Sequence, residues 1–294
     1  MKKPKFKITR QSIIGWVKEY SKYFAILFVI TSSIIQGSRV PTGSMETTIM
    51  IGDWVMNNKL AFDLTTPRNI PFTNIALPHI RLFKWGDPER NQVVVFQFPG
   101  MRDQIQDTAI QNYVKRCVGI PGDTIRIIDR MLYVNGKEFP RPPHIQYLKN
   151  HSLPEGYTES EIFPVGKEWN TDNYGPIVVP GKSEKITLSP ENIDQWRTFI
   201  NREFLRDVVA VAGGKIFIDG KETSEYTIRD DYYFMLGDNR DNSLDCRFWG
   251  FVPRQNIVGR PLFVYWSWNS DIPFSDLFNL LASIRIDRIG KFIN

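Results

Sequence analysis

Cysteine and histidine are both scarce: this chain of 294 residues contains two cysteines and three histidines. Two cysteines cannot build a disulfide scaffold, and no Cys/His spacing matches a zinc site, so we expect neither a metal nor another cofactor. The histidines, His79, His144 and His151, are scattered through unpatterned sequence rich in proline, where we expect exposed side chains. A catalytic site built on histidine therefore has little support.

A broad basic surface is missing as well, although the formal net charge is +5. Residues 1–22 contain seven basic residues and a single acidic one, Glu19, so the rest of the chain carries a charge of about −1. A basic tail on a nearly neutral body is typical of a protein that meets a membrane, because nucleic-acid-binding proteins spread their positive charge over a face. We therefore expect the lipid bilayer as a partner, and no nucleic acid.

An apolar run long enough for a straight transmembrane helix is also lacking. Residues 23–38 are uncharged, but the 16 positions between Lys22 and Arg39 fall short of the ~20 residues that a spanning helix usually needs. Three readings remain: a cleaved signal peptide, a buried helix, and a short membrane anchor whose flanking Lys22 and Arg39 reach the lipid headgroups. The basic tail favours the anchor, with the N-terminus in the cytoplasm and everything after Arg39 on the outer face.

Most of the remaining chain has the pattern of β structure. Runs of β-branched and aromatic residues predict strands at 92–98, 112–118, 124–128, 232–236 and 263–268. Asn135-Gly136 predicts the turn of a hairpin, whereas residues 60–90, rich in proline and polar residues, predict a long loop. The fold class is therefore predicted as mainly β, with a core formed by residues 39–137 and 232–270.

Two segments depart from this pattern. Residues 138–231 are rich in proline and polar residues and are predicted to be a cap-like α+β insertion without chemistry of its own. Within it we expect one helix, capped by Ser189 and ending near Phe204, and one hairpin at 215–221. Residues 271–294 combine apolar with basic positions, which fits either an amphipathic helix on a membrane or a packed terminal helix.

A candidate nucleophile lies directly after the uncharged run, in Val40-Pro41-Thr42-Gly43-Ser44-Met45. Proline and glycine allow a sharp turn there, which would expose the Ser44 hydroxyl and neighbouring N–H groups. A hydroxyl nucleophile needs a base, and Lys115, inside an apolar predicted strand, is the remaining candidate. Burial would lower the pKa of Lys115 toward neutrality; the alternative is a lysine on an edge strand that points to solvent.

Four segments, in this order, resemble the successive boxes of bacterial type I signal peptidases. They are Pro41–Met45 with Ile51-Gly52-Asp53, Gly86-Asp87 with Val93–Phe96, Tyr113–Asp123, and Gly237–Ser243 with Arg247–Pro253. The resemblance implies a membrane-anchored Ser/Lys serine endopeptidase that removes signal peptides from exported preproteins after small residues of the Ala-x-Ala type. It also implies coiled antiparallel sheets in a barrel-like core, and a catalytic domain on the outer face of the cytoplasmic membrane.

The resemblance further implies a role for each matching residue. Ser44 matches the nucleophile, Lys115 the general base, and Ser243 the hydroxyl that orients the lysine. The N–H of Ser44 and the hydroxyl of Thr42 match the oxyanion hole. The other matches are four residues of an apolar substrate pocket and two supporting ion pairs: Val40, Pro41, Met45 and Val114, then Asp245 with Arg247, and Arg116 with Asp238.

The chain departs from the family pattern at Thr47, where a proline is usual, and at Cys117 and Cys246, which replace small residues. We expect both thiols to be buried close to the site, and a disulfide between them under oxidation is an open hypothesis.

Two other functions remain to be weighed. A non-catalytic membrane-anchored β protein that binds exported chains is disfavoured because the nucleophile, base and orienting hydroxyl are all present. A Ser/Lys self-cleaving regulator is disfavoured because no DNA-reading module precedes the nucleophile.

Overall fold

The computed structural model describes residues 10–67, 77–107 and 109–294. The basic residues before Arg10 and residues 68–76 of the predicted long loop lie outside this part of the chain. Contacts divide the chain into two compact units: the first contains the residues up to Gln36 together with Asn58–Gly86, and the second contains Gly37–Asn57 together with Asp87–Asn294.

The chain is mainly β, as the sequence predicted. The strands are β1 (Ile35–Arg39), β2 (Asp53–Asn58), β3 (Asp63–Thr65), β4 (Arg81–Lys84), β5 (Val93–Gln97), β6 (Asn112–Gly119), β7 (Thr124–Ile128), β8 (Met131–Val134), β9 (Lys137–Glu138), β10 (Tyr174–Val178), β11 (Lys185–Thr187), β12 (Val209–Ala212), β13 (Lys215–Ile218), β14 (Lys221–Glu222), β15 (Glu225–Thr227), β16 (Tyr232–Leu236), β17 (Val252–Pro253) and β18 (Ile257–Ser267). The α-helices are α1 (Arg10–Val29), α2 (Ile193–Phe204), α3 (Cys246–Trp249) and α4 (Leu277–Ala282).

The first unit contains α1 and a short hairpin. β3 and β4 pair antiparallel, so the prediction of an uninterrupted loop over 60–90 is wrong at these two strands. The predicted anchor at 23–38 does not coincide with a single helix, because α1 ends at Val29 and β1 begins at Ile35. Charged residues in the first half of α1 lower its mean hydropathy. Within the described ranges, no helix has both the length and the apolar character needed to cross a bilayer.

A seven-stranded sheet in the order β1-β2-β18-β5-β6-β16-β17 holds the central core of the second unit. β16 is buried along its whole length, which explains its continuous apolar sequence. β5 pairs with β6 from Val93 opposite Arg116 to Gln97 opposite Asn112. β16 pairs with β6 only from Arg116 onward, so on that side residues 112–115 of β6 are not paired with any described strand.

The predicted insertion shares a sheet with the core. Its strand β10 pairs with β7 in a four-stranded sheet of order β10-β7-β8-β9. The hairpin turn at Asn135-Gly136 is present, with positive φ at both residues, as is the hairpin of β13 and β14. α2 is confirmed, but its N-cap is Asn192 rather than Ser189, because the carbonyl of Ser189 closes a separate turn by accepting the N–H of Asn192 at 3.1 Å.

The C-terminal segment has a six-residue α-helix, α4, and a 3-10 turn at Ile286–Arg288, and it then returns to the central sheet. The N–H of Val264 in β18 donates to the carbonyl of Lys291 at 3.0 Å, and the N–H of Ile293 donates to that of Leu262 at 2.9 Å. Ile293 is buried in the cluster that contains Met45. The last residues of the chain therefore pack beside the turn that carries Ser44.

Candidate active site

Ser44 lies in a tight turn that connects β1 to β2. The N–H of Glu46 donates to the carbonyl of Gly43 at 3.0 Å, and the N–H of Ile49 donates to that of Met45 at 2.8 Å. Met45 and Ile49 belong to the buried apolar cluster, whereas Ser44 is only half-buried. The turn is thus anchored on its apolar side while the Ser44 hydroxyl stays accessible to a reacting carbonyl.

Lys115 lies in β6, opposite Val94 of β5, and is 3% exposed. Its Nζ donates a hydrogen bond to the Oγ of Ser44. Burial disfavours the ammonium and lowers the pKa of Lys115 to about 8, although the nearby carboxylate of Asp245 acts in the opposite direction. The alternative of a lysine pointing to solvent is therefore wrong, and a neutral amine suited to accept a proton is accessible near neutral pH.

Ser243 is buried close to the nucleophile, but its Oγ has no hydrogen-bond partner among the residues described. The expected hydrogen bond between Ser243 and Lys115 is therefore not formed in this structure. The hydroxyl packs against Gly237 instead, where an added Cβ would lie 2.1 Å from the Oγ of Ser243 and 2.5 Å from the carbonyl oxygen of Ser44. Only glycine at position 237 lets the two serines approach this closely.

Both predicted ion pairs are formed and buried. Arg116 holds Asp238 with two hydrogen bonds of 2.8 and 2.7 Å, and Arg247 holds Asp245 with two of 2.9 Å. Burial alone would raise the pKa of Asp245, but the charge and hydrogen bonds of Arg247 outweigh it and lower that pKa. Asp245 also accepts the N–H of Gly237 at 3.1 Å. The ion pairs thus fix the backbone of the loop that faces Ser44.

Two residues at the site were not predicted from the sequence. Asn239 donates its backbone N–H to the carbonyl of Ser44 and its side-chain amide to the carbonyl of Gly43, each at 3.1 Å. Thr48 donates its hydroxyl to Asp238. The two closer partners of Asn239 are main-chain carbonyls, and its amide also donates to the carboxylate of Glu46 at 3.5 Å. Contacts with main-chain carbonyls leave no pattern of residue types in a sequence, although the position of Asn239 between Gly237 and Ser243 was a signal.

The remaining predicted residues lie around this turn. Val40 and Val114 pack against the apolar cluster that contains Met45. Pro41 is exposed and lies outside that cluster, and Thr42 is exposed two residues before the nucleophile. The structure therefore brings three of the four predicted pocket residues together, with Met45 almost fully buried beneath the other two.

Both cysteines are buried free thiols, as expected, and burial raises the pKa of each. They lie on neighbouring segments, because Met235 is the strand partner of Cys117 and donates its N–H to the sulfur of Cys246 at 3.1 Å. No disulfide joins them. In the described part of the chain, no group of three or more His, Cys, Asp or Glu side chains is arranged to hold a metal ion.

Comparisons with known proteins identify the family. The family profile described as "Signal peptidase, peptidase S26" matches residues 13–266. Signal peptidase I of Pseudomonas aeruginosa is 31% identical over 265 residues, which cover 85% of this chain and 72% of that protein. Signal peptidase I of Rickettsia prowazekii is 30% identical, covering 90% of this chain and 88% of its own. A solved signal peptidase I from Enterococcus faecalis is 21% identical and covers 59% of this chain and 96% of its own, at a TM-score of 0.28. Since the profile and both relatives match most of its length, the chain belongs to the signal peptidase family, peptidase S26.

Proposed function

We propose that this signal peptidase hydrolyses the bond between signal peptide and mature chain with Ser44 as nucleophile and Lys115 as general base. The hydrogen bond from Lys115 to Ser44, in a setting that lowers the pKa of the lysine to about 8, carries the proposal. The neutral amine takes the hydroxyl proton while Oγ attacks the scissile carbonyl, and the resulting ammonium returns that proton to the leaving amine. A water molecule, activated by the same amine, then hydrolyses the acyl-enzyme and releases the signal peptide.

We assign the oxyanion hole to the N–H of Ser44 and the hydroxyl of Thr42. The exposure of Thr42 beside the nucleophile supports this role, because a donor must reach the carbonyl oxygen of a bound substrate. Ser243 is assigned the role of orienting Lys115. Its buried hydroxyl has no hydrogen-bond partner among the residues that the structure describes, so turning that hydroxyl toward Lys115 breaks no existing hydrogen bond there.

The substrate binds as an added strand along residues 112–115 of β6. The lack of a described strand partner on one side of this segment supports the proposal, because a peptide can pair there through its backbone. Val40, Pro41, Met45 and Val114 then accept small side chains at the −1 and −3 positions of the signal peptide. Backbone pairing supplies affinity, and these shallow apolar walls exclude large side chains.

We further infer that the protein is anchored in the cytoplasmic membrane near residues 23–38, with residues 1–22 in the cytoplasm and the barrel-like catalytic core of 39–137 and 232–270 outside. The charge asymmetry around the uncharged run supports this orientation. The 138–231 insertion caps that core. Protease added to cells stripped of outer barriers should degrade the chain beyond residue 40, whereas protection of that region would reverse the orientation.

The test of the activity is cleavage of a precursor with an Ala-x-Ala junction by the purified full chain in detergent. We expect a single cut after the second alanine, identified by sequencing the new N-terminus, and no cut when phenylalanine replaces that alanine. A protein that binds the precursor and leaves it intact would support the non-catalytic alternative and overturn the proposal.

A further inference from the structure

Arg240 is a buried guanidinium that forms no ion pair with a described residue. It is 4% exposed, and its Nε has no hydrogen-bond partner in the described part of the chain. Four other buried arginines each pair with an aspartate at 2.5–2.9 Å: Arg116, Arg247, Arg254 and Arg288. Because arginine remains protonated in proteins, the positive charge of Arg240 is left without a directly bonded partner among the described residues, and the more distant Asp238 and Asp245 attract it.

A cavity of about 280 Å³ lies beside Arg240. Its wall includes two further arginines, Arg130 and Arg141, which lie 4.7 and 5.6 Å from the ring centre of Tyr147. Arg130 is already paired with Asp172 at 3.1 Å and with Asp241 at 3.9 Å, whereas Arg141 is exposed and, besides the Tyr147 ring, contacts the backbone carbonyl of Ile145 at 3.5 Å. Asp129 contributes a carboxylate to the described part of the cavity wall, and this carboxylate accepts a hydrogen bond from the hydroxyl of Ser152. Because two aspartates neutralise Arg130, the charges left in the wall are those of Arg240 and Arg141 against that of Asp129.

We propose that this cavity binds a small oxyanion, a carboxylate or phosphate group, held by Arg240 from within and by Arg141 at the rim. A guanidinium presents parallel N–H donors that match two oxygens of such a group. Binding gives Arg240 a direct anionic partner, which no aspartate or glutamate of the described chain provides, since Asp238 and Asp245 attract its charge without forming an ion pair with it.

The position of this cavity connects it to the active site. Arg240 follows Asn239, whose backbone and side chain hold the carbonyls of Ser44 and Gly43. The backbone N–H of Arg240 donates to the carbonyl of Gln146 at 3.0 Å, and the N–H of Gln146 donates to that of Asp238 at 3.0 Å. An anion on Arg240 therefore steadies the loop that supports the nucleophile.

The oxyanion comes either from free anion in solution or from an acidic side chain in the mature part of a preprotein. The second source rests on the proposed function.

The first experiment measures phosphate binding to the full chain in detergent by titration calorimetry, without substrate, at pH 7 and constant ionic strength set with chloride. We expect saturable binding that is about tenfold weaker in Arg141→Gln, which removes one bidentate donor group. Arg126→Gln removes the same charge from an exposed position outside the cavity wall and should bind as the wild type does. Arg240→Met should abolish binding; if that variant does not fold, Arg141→Gln decides. Absence of saturable binding, or equal binding by Arg141→Gln, overturns the proposal.

A second experiment identifies the source of the anion. Two precursors that differ only by glutamate or glutamine near the start of the mature chain are cleaved by wild type and by Arg141→Gln. A higher kcat/KM for the glutamate precursor that disappears in Arg141→Gln assigns the site to substrate. Equal values together with phosphate binding assign it to free anion. Because phosphate binding is measured without cleavage, its outcome does not depend on whether the protease mechanism is correct.

Discussion

Lys115 and Ser44 are 71 positions apart in the chain, yet the Nζ of Lys115 donates a hydrogen bond to the Oγ of Ser44. The lysine belongs to an inner strand of the central sheet, and the serine to a turn held by the Gly237–Ser243 loop. The pair therefore forms only when these three parts of the second unit are folded together. Reactivity of Ser44 depends on that assembly rather than on the turn alone.

Removal of either member of this pair should abolish cleavage. Ser44→Ala deletes the nucleophile, and Lys115→Met deletes the base while keeping an apolar chain of similar length, so each should lower kcat by at least ~1000-fold. Lys185→Met removes a lysine that is exposed and paired with Glu225 at 2.9 Å, and should leave cleavage unchanged. Near-normal cleavage by Lys115→Met would falsify the Ser/Lys mechanism.

The rate of cleavage should follow the protonation of Lys115. The base acts in its neutral form, and its pKa is lowered to about 8 by burial. kcat/KM should therefore rise about tenfold per pH unit below pH 8 and level off above it. The profile is measured with a precursor that has no group titrating in this range. A flat profile from pH 6 to 9 is incompatible with a lysine base.

The same shift affects stability. The pKa of Lys115 is 10.5 when unfolded and about 8 when folded, so the unfolded chain binds more protons between these values and stability rises with pH across that window. Below pH 8 the buried lysine costs up to about 3 kcal/mol. Lys115→Met should gain stability of that order at pH 7 in urea unfolding, with the gain fading as the pH approaches 10.5. A difference that does not vary with pH would argue against the lowered pKa.

Gly237→Ala should separate the nucleophile from the orienting hydroxyl. The added Cβ would lie 2.1 Å from the Oγ of Ser243 and 2.5 Å from the carbonyl of Ser44, distances that force both residues to move. We expect kcat to fall at least ~100-fold, because small displacements of reacting groups have large kinetic effects. Gly86→Ala is the matched control, since its Cβ would meet its nearest atoms at 3.9 Å. Equal kcat values for the two variants would contradict this role of Gly237.

Ser243→Ala tests the orienting role directly. It removes a buried hydroxyl that has no hydrogen-bond partner among the described residues and that we propose orients Lys115, so kcat should fall severely, by ~10- to 100-fold. Asn242→Ala changes an exposed neighbour and serves as the control. A fall in kcat with little change in melting temperature separates orientation from folding. Unchanged kcat in Ser243→Ala removes Ser243 from the mechanism.

The strands around the site, though not their pairing, were accessible from sequence because local patterns encode them. Alternating and β-branched runs predicted β5, β6 and β16, and Asn135-Gly136 predicted its hairpin, since turn conformation depends on the residues in the turn. The hairpin of β3 and β4 was missed. Its strands have only three and four residues, too short for a periodic signal.

By itself, the sequence determined the mainly β class, the order of the motifs and the types of residue available for chemistry at Ser44, Lys115 and Ser243. These follow from side-chain chemistry and from short-range patterns along the chain. Only the tertiary structure decided that Lys115 is buried, that Asn239 holds the nucleophile turn, and that Arg240 forms no ion pair with any described residue. Burial and pairing depend on segments many positions away, and therefore on how the strands and loops pack against one another in space.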